Sequence, residues 1–140
     1  MKAKLIVAGA VLIIAASFVA ACSGANSSNE KVIKSVKSGE LTVTLTNSTG
    51  ELKKGENDLM LTFFDTSGKP VDVGAASLNF HMAAMGSMAE MNDKATLTTT
   101  ETPGKYRAQV HIEMAGSWDA QVKYQGLHGS GQESMTIRAK

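Results

Sequence analysis

The sequence predicts an all-β domain, an antiparallel β-sandwich of about seven strands that follows a signal peptide and a flexible tether. Apolar and polar residues alternate in short segments, and glycine- and proline-rich turn signals separate these segments. Their regular spacing is typical of a sandwich. The 140 residues suit one such domain. We expect a signal peptide at 1–21, a lipidated cysteine and tether at 22–38, and the sandwich at 39–140.

The N-terminus has the organisation of a bacterial lipoprotein signal peptide. Two lysines precede an uncharged apolar run at 5–19, which is too short to cross a hydrocarbon core of about 30 Å comfortably. The run ends in Val19-Ala20-Ala21-Cys22, which resembles the lipobox of an aliphatic residue, two small residues and cysteine. We therefore expect cleavage after residue 21 and acylation of Cys22; the alternative is an uncleaved anchor. Since Cys22 is the single cysteine, no thiol remains for a disulfide or a thiolate metal site.

The lipobox and the residue after its cysteine predict a place in the cell envelope, and the charge predicts no special class of partner. The net charge is +1, from 14 basic and 13 acidic residues, and no basic patch predicts a nucleic-acid partner. We interpret the lysine-containing run at 31–37 as part of the solvated tether. Ser23, rather than Asp, follows Cys22, which in a two-membrane bacterium permits sorting to the outer membrane. We expect an extracytoplasmic protein, held to a membrane by its lipid and facing the periplasm.

Each predicted strand carries an apolar residue at every second position. In chain order these stripes are Leu41-Val43-Leu45, Leu59-Leu61-Phe63, Leu78-Phe80-Met82, a short segment around Leu97, Tyr106 to Met114, Trp118 to Tyr124, and Met135-Ile137. The predicted core comprises Leu61, Phe63, Phe80, Tyr106, Val110, Trp118 and Val122.

The positions of the inward-facing residues in these stripes predict two hairpins. Directly opposed residues in an antiparallel pair share a face of the sheet, and short loops that contain glycine commonly connect such pairs. We therefore predict that Thr99 pairs with Tyr106. We also predict that Met114 pairs with Trp118 across the loop at 115–117.

Residues 81–91 form a methionine-rich segment. Eight methionines occur in the chain, and four of the seven after Met1 fall within ten residues. Thioether sulfur is a soft, neutral donor that suits copper(I), and it survives where thiols are lost to disulfides. A neutral histidine could add an imidazole. The segment therefore predicts a copper(I) site, with the ligands His81, Met82, Met85, Met88 and Met91.

Two other interpretations fit the same methionines. Their spacing of three residues also fits the apolar face of a short helix that crosses an open end of the sandwich, in which case they belong to the core. Alternatively, they form an adaptable apolar patch that binds a partner protein. Gly86 and Ser87 interrupt helix propensity, which favours an irregular loop. We interpret Met114 as a core residue.

The remaining polar residues predict no catalysis. His111 lies on the polar face of its strand and His128 in a glycine-rich loop, and neither has the local spacing of a zinc or type-2 copper site. The sequence contains no nucleophile elbow, phosphate-cradling glycine loop or EF-hand. We therefore predict a protein that is not an enzyme.

Four blocks in a fixed order carry a family resemblance. They are Phe63 to Val71, Met82-Ala83-Ala84-Met85, Pro103 to Ala108, and Met114 to Trp118. With them, the stretch from Asn57 to Tyr124 resembles the YtkA-like and FixH-like group of secreted domains. The resemblance implies an immunoglobulin-like sandwich and a setting of copper handling, near efflux adaptors or oxidase assembly factors. Ala83 departs from the Met-Pro-x-Met pattern of such domains, so this loop should be less rigid.

The expected function is that of an extracytoplasmic copper(I)-binding lipoprotein, acting as a chaperone, buffer or delivery protein. Its expected partner is a copper-handling protein, either an efflux adaptor or an oxidase assembly factor. The alternative is an interaction module without metal, which presents the methionine-rich patch to a membrane or envelope partner.

Overall fold

A computed structural model describes residues 30–127 and 129–140 of the chain, and these residues form nine strands. The strands are β1 (Lys31–Ser38), β2 (Leu41–Asn47), β3 (Gly55–Phe64), β4 (Ala75–Met82), β5 (Met91–Lys94), β6 (Thr96–Thr99), β7 (Lys105–Ile112), β8 (Gly116–Gly126) and β9 (Gly129–Ala139). The predicted signal peptide, Cys22 and His128 lie outside the described residues. Within the described ranges, no helix is long and apolar enough to cross a membrane.

The strands form two antiparallel sheets, and their apolar faces enclose one core. Sheet A has the order β1-β2-β3-β7-β6, and sheet B has the order β5-β4-β8-β9. All seven predicted core residues are buried, with Trp118, Phe63 and Phe80 the largest side chains among those fully enclosed. The predicted antiparallel sandwich is therefore confirmed, with nine strands instead of about seven.

The two additional strands lie at the edges of the sheets. The tether predicted at 22–38 is wrong for its last eight residues, because these form β1. A bulge between Val32 and Lys34 breaks the alternation along β1, although Ile33 and Val36 still pack against the core. The other strand, β5, has four residues, of which Met91 alone is apolar. Neither strand has the regular stripe from which the others were predicted.

One of the two predicted hairpins is confirmed and the other is wrong. Thr99 pairs with Tyr106 in sheet A, as predicted. Met114 and Trp118 do not pair as a hairpin, because β7 belongs to sheet A and β8 to sheet B. Residues 113–115 cross between the sheets, and the indole Nε1 of Trp118 donates a hydrogen bond to the carbonyl oxygen of Met114 at 2.9 Å.

The ends of the sandwich differ in what they carry. We call the end that holds residues 83–90 the methionine end: β1, β3, β5 and β8 begin there, and β2, β4, β7 and β9 end there. The opposite end, here the far end, carries the loop at 65–74 and the turn at 100–104. The predicted metal site and the crossing between β7 and β8 therefore lie at the same end.

Candidate metal centre

The methionine-rich segment is a β-hairpin that narrows to a tight turn. Met82 and Met91 form the last pair of β4 and β5. Farther out, the backbone N–H of Met85 donates to the carbonyl of Met88 at 3.1 Å, and that of Met88 donates to Met85 at 2.8 Å. Gly86, with φ of 57°, supplies the left-handed conformation that this turn requires. The short-helix interpretation of these methionines is therefore wrong.

The outer methionine pair is exposed to solvent. Met85 is 60% exposed and Met88 is 42% exposed, a state that is uncommon for two neighbouring apolar side chains. As a directly opposed pair, they project from the same face of the hairpin. The turn thus presents two thioether groups side by side in water.

The inner methionine pair is packed into the sandwich. Met82 is 4% exposed, and Met91 is partly buried against the core. A Cβ atom at Gly116 would lie 2.9 Å from the terminal methyl of Met82, so glycine at that position makes room for this side chain. Met114, partly buried as predicted, packs against the same core. Met82 is therefore a core residue.

Asp93 holds the base of the hairpin beside the crossing between the sheets. Its carboxylate accepts a hydrogen bond from the backbone N–H of Glu113 at 3.1 Å. Since Glu113 follows β7 directly, this bond ties β5 of sheet B to the end of a strand in sheet A. The hairpin therefore projects from a base that is fixed to both sheets.

His81 lies on the other side of sheet B from Met82. Adjacent residues of a strand point to opposite faces, and the imidazole Nδ1 of His81 is 3.0 Å from the amide oxygen of Asn92 on the outer face. The carboxylate of Glu90 lies 3.8 Å from Nε2 of His81. The sheet thus separates this imidazole from the Met82–Met91 pair. The sequence contained the signal, because His81 alternates with the inward-facing Phe80 and Met82.

The other histidine in the described part of the chain occupies a surface position. His111 lies on the outer face of sheet A, where its Nδ1 atom is 2.8 Å from a carboxylate oxygen of Glu56. Across residues 30–127 and 129–140, no group of three or more His, Cys, Asp or Glu side chains could hold a metal ion.

Comparison with known families decides the classification. The model of the YtkA-like family matches residues 35–123, which is more than half of the chain. The chain belongs to the YtkA-like family. The match begins inside β1 and includes all but the last residue of the stretch from Asn57 to Tyr124, on which the resemblance in sequence was recognised.

The chain was also compared with solved structures and with curated proteins. A solved structure of a copper-bound variant of FetP from uropathogenic Escherichia coli strain F11 is similar to this YtkA-like chain at 11% sequence identity and a TM-score of 0.46. The similarity covers 78% of this chain and 96% of that chain. The search of curated proteins finds no match.

Two of the four blocks that carry the YtkA-like resemblance meet at the methionine end. The block from Met82 to Met85 forms the end of β4 and one arm of the hairpin. The block from Met114 to Trp118 forms the crossing and the start of β8. They contact each other where the methyl group of Met82 lies against Gly116.

Proposed function

We propose that this YtkA-like protein is a lipid-anchored, extracytoplasmic protein that binds copper(I) at its methionine hairpin. In this proposal, it buffers the ion or delivers it to a copper-handling protein of the envelope, and it catalyses no reaction. The observation that carries the proposal is the directly opposed pair Met85 and Met88, whose thioethers are exposed at the turn.

The chemistry of this pair suits a soft monovalent ion. The Cα atoms of a hydrogen-bonded antiparallel pair lie about 5.5 Å apart, and methionine has a flexible stem. Two sulfur atoms can therefore turn towards one ion without a change in the backbone. Thioether sulfur favours copper(I) over the hard ions Mg²⁺ and Ca²⁺. It carries no proton, so its binding of copper needs no deprotonation.

The remaining predicted ligands lie at the base of the hairpin. Met91 stays a predicted ligand; it is partly buried and lies on the strand that leaves the turn. Met82 and His81 stay predicted ligands, which single substitutions test.

The test uses leucine in place of methionine at the turn. Leucine keeps most of the volume and the apolar character while it deletes the sulfur. We expect the combined Met85→Leu, Met88→Leu variant to bind copper(I) about tenfold more weakly or worse, which corresponds to about 1.4 kcal/mol or more. Affinity is measured anaerobically by competition with a chromogenic chelator, on a non-lipidated form that begins at Ser23.

The control removes two sulfur atoms elsewhere in the domain. Met135 lies in the core at 2% exposure, and Met60 lies on β3, away from the hairpin. The combined Met60→Leu, Met135→Leu variant should bind copper(I) as the parent does. If the two double variants bind with equal affinity, the methionine hairpin is not the site.

The exposed methionines also favour a second candidate function. Met85 and Met88 are two of the four large apolar side chains exposed in the described part of the chain, and such groups bind partner proteins. The same leucine variant separates the two functions. An interaction module keeps its partner when leucine replaces methionine, whereas a copper protein loses its affinity for the ion.

A further inference from the structure

The methionines of the described residues differ widely in their access to solvent. Met85 and Met88 are exposed at the turn of the methionine hairpin, whereas Met82 and Met135 are enclosed in the core. The partly buried ones are Met60, Met91 and Met114. One chain therefore holds thioethers of the same chemistry in three different environments.

Access to the sulfur atom decides how fast a thioether reacts with a peroxide. The sulfur attacks one oxygen of hydrogen peroxide with a lone pair, an S–O bond forms and the O–O bond breaks. The sulfur loses two electrons, the peroxide gains them, and the products are methionine sulfoxide and water. Because the oxidant must come within bonding distance of the sulfur, an enclosed side chain reacts only when the fold opens around it.

The turn of the hairpin can carry two sulfoxides without losing its conformation. Two reciprocal hydrogen bonds between the backbones of Met85 and Met88 hold it, and these use no side-chain atom. Gly86 supplies the left-handed conformation of the turn. The neighbouring side chains are small and exposed; they are Ala83, Ala84, Ser87 and Ala89. An oxygen atom added to either sulfur therefore projects into water.

The same modification at Met82 has a different consequence. The terminal methyl group of this residue lies against Gly116, and its side chain is enclosed. Methionine sulfoxide is polar, and burial of a polar group without a hydrogen-bond partner costs stability. Oxidation that leaves the domain folded is thus limited to sulfur atoms outside the core.

We infer that Met85 and Met88 form a modification site for peroxides, where oxidation to methionine sulfoxide removes the copper(I) donors while the sandwich stays folded. A sulfoxide presents oxygen in place of thioether sulfur, and oxygen ligands suit hard ions such as Mg²⁺ and Ca²⁺ instead of copper(I). The loss of copper rests on the proposed function, whereas the oxidation itself does not.

The modification is reversible with the help of a second protein. A sulfoxide reductase restores the thioether: two thiol groups become a disulfide, and the sulfoxide oxygen leaves as water. Because the single cysteine of the chain is the proposed lipid attachment site, this chain has no thiol pair of its own for the reaction. The partner that fits the oxidised hairpin is therefore a reductase of methionine sulfoxide.

The test follows each methionine separately. The metal-free full-length protein in detergent is treated with hydrogen peroxide, and tandem mass spectrometry measures the sulfoxide at each position over time. We expect Met85 and Met88 to oxidise about tenfold faster than Met82 and Met135, or more, because the core sulfurs react only on opening. In urea that unfolds the protein, the rates should become equal, since the fold is the source of the difference.

Two further measurements connect the modification to its effect. Protein oxidised at Met85 and Met88 should keep the urea midpoint of the parent. It should bind copper(I) about tenfold more weakly or worse, and a sulfoxide reductase supplied with a dithiol should restore the affinity.

The outcomes distinguish this inference from the proposed function. If Met82 or Met135 oxidises as fast as the turn, or if oxidation of the turn lowers the urea midpoint, the modification site is wrong. If the oxidised protein binds copper(I) as tightly as the parent, the effect on copper is wrong. If the turn oxidises selectively and the parent itself does not bind copper(I), the modification site stands and the proposed copper function fails.

Discussion

At the far end, the hydroxyl group of Tyr106 links sheet A to the residue that precedes β4 of sheet B. The hydroxyl donates a hydrogen bond to the carbonyl oxygen of Gly74 at 2.8 Å, and the ring packs edge-on against Phe63 with 5.9 Å between centroids. Burial, and then the charge of Asp72, raise the pKa of Tyr106 above its usual value. The neutral phenol is therefore the form that the fold favours.

This preference predicts a pH dependence of stability. A folded-state pKa above the unfolded value gives stability that is complete below about pH 10, the unfolded pKa, and is lost as the pH rises through the folded pKa. Tyr106→Phe should cost about 0.5–1.5 kcal/mol at neutral pH through the lost hydrogen bond. It should also lose less stability than the parent on alkalinisation. Urea unfolding at neutral and alkaline pH measures both effects, and a constant difference between the proteins would contradict this explanation.

At the same scale, alternation in the sequence predicted burial, whereas residue type and spacing predicted the ligand set. It placed Phe80 and Trp118 in the core and Met82 on the same inward stripe as Phe80, because one buried face requires one parity. The ligand set was chosen by residue type and spacing, and these do not record the side of the sheet on which a group lies. His81 and Met82 are adjacent in sequence, yet a sheet separates them.

Gly104 and Gly68 share a backbone conformation but differ in their surroundings. Both have a φ of 81°. A Cβ atom at Gly104, before β7, would lie 2.0 Å from the backbone oxygen of Val71, whereas one at Gly68 would meet nothing within 4 Å. Substitution at these two positions therefore distinguishes the steric cost of an added side chain from the cost of holding it in a left-handed backbone conformation.

We expect Gly68→Ala to cost about 1–2 kcal/mol, the ordinary penalty of the left-handed region. Gly104→Ala adds a clash with backbone that cannot rotate away, so we expect a loss of several kcal/mol, beyond most single substitutions. Denaturant unfolding of both variants gives the comparison. If their midpoints agree, the close approach of the turn to Val71 does not exist in solution.

At the scale of elements, the alternation of apolar residues predicted which face of each strand is buried. It did not always predict which strand lies beside it in the sheet. Met114 and Trp118 point inward whether their strands pair side by side or stand in facing sheets, so parity alone could not choose between these arrangements. Thr99 and Tyr106 offered the same choice, and there the hairpin is confirmed. The strand that pairs with a given strand depends on the arrangement of all the strands in both sheets. The spacing of residues within one segment of the sequence does not encode that arrangement.

For the whole molecule, β1 determines where the folding unit begins. Ser38 is 2.8 Å from the hydroxyl of Tyr124 in the other sheet, and Ile33 and Val36 pack against the core. A chain that begins at residue 39 loses these contacts and exposes the backbone edge of β2, which is a template for aggregation. We therefore expect it to unfold at lower urea concentration than a chain that begins at residue 30.

A chain that begins at residue 23 is the control for this comparison. It should match the chain from residue 30 in urea midpoint, since both retain β1. If the chain from residue 39 is as stable as the other two, β1 is an accessory strand and the sandwich begins at β2.

The last strand also ends at the methionine end, where the backbone of Lys140 bonds with those of Leu52 and Lys54. Any polypeptide fused after Lys140 therefore starts at the same end of the sandwich as the hairpin, at the opposite edge of sheet B. A flexible tag of six histidines at that position spans up to about 20 Å and brings competing imidazoles within reach of Met85 and Met88, so part of the measured copper affinity would belong to the tag. An affinity sequence inserted in the loop at 66–69 instead stands a full strand length away and leaves the methionines as the local donors.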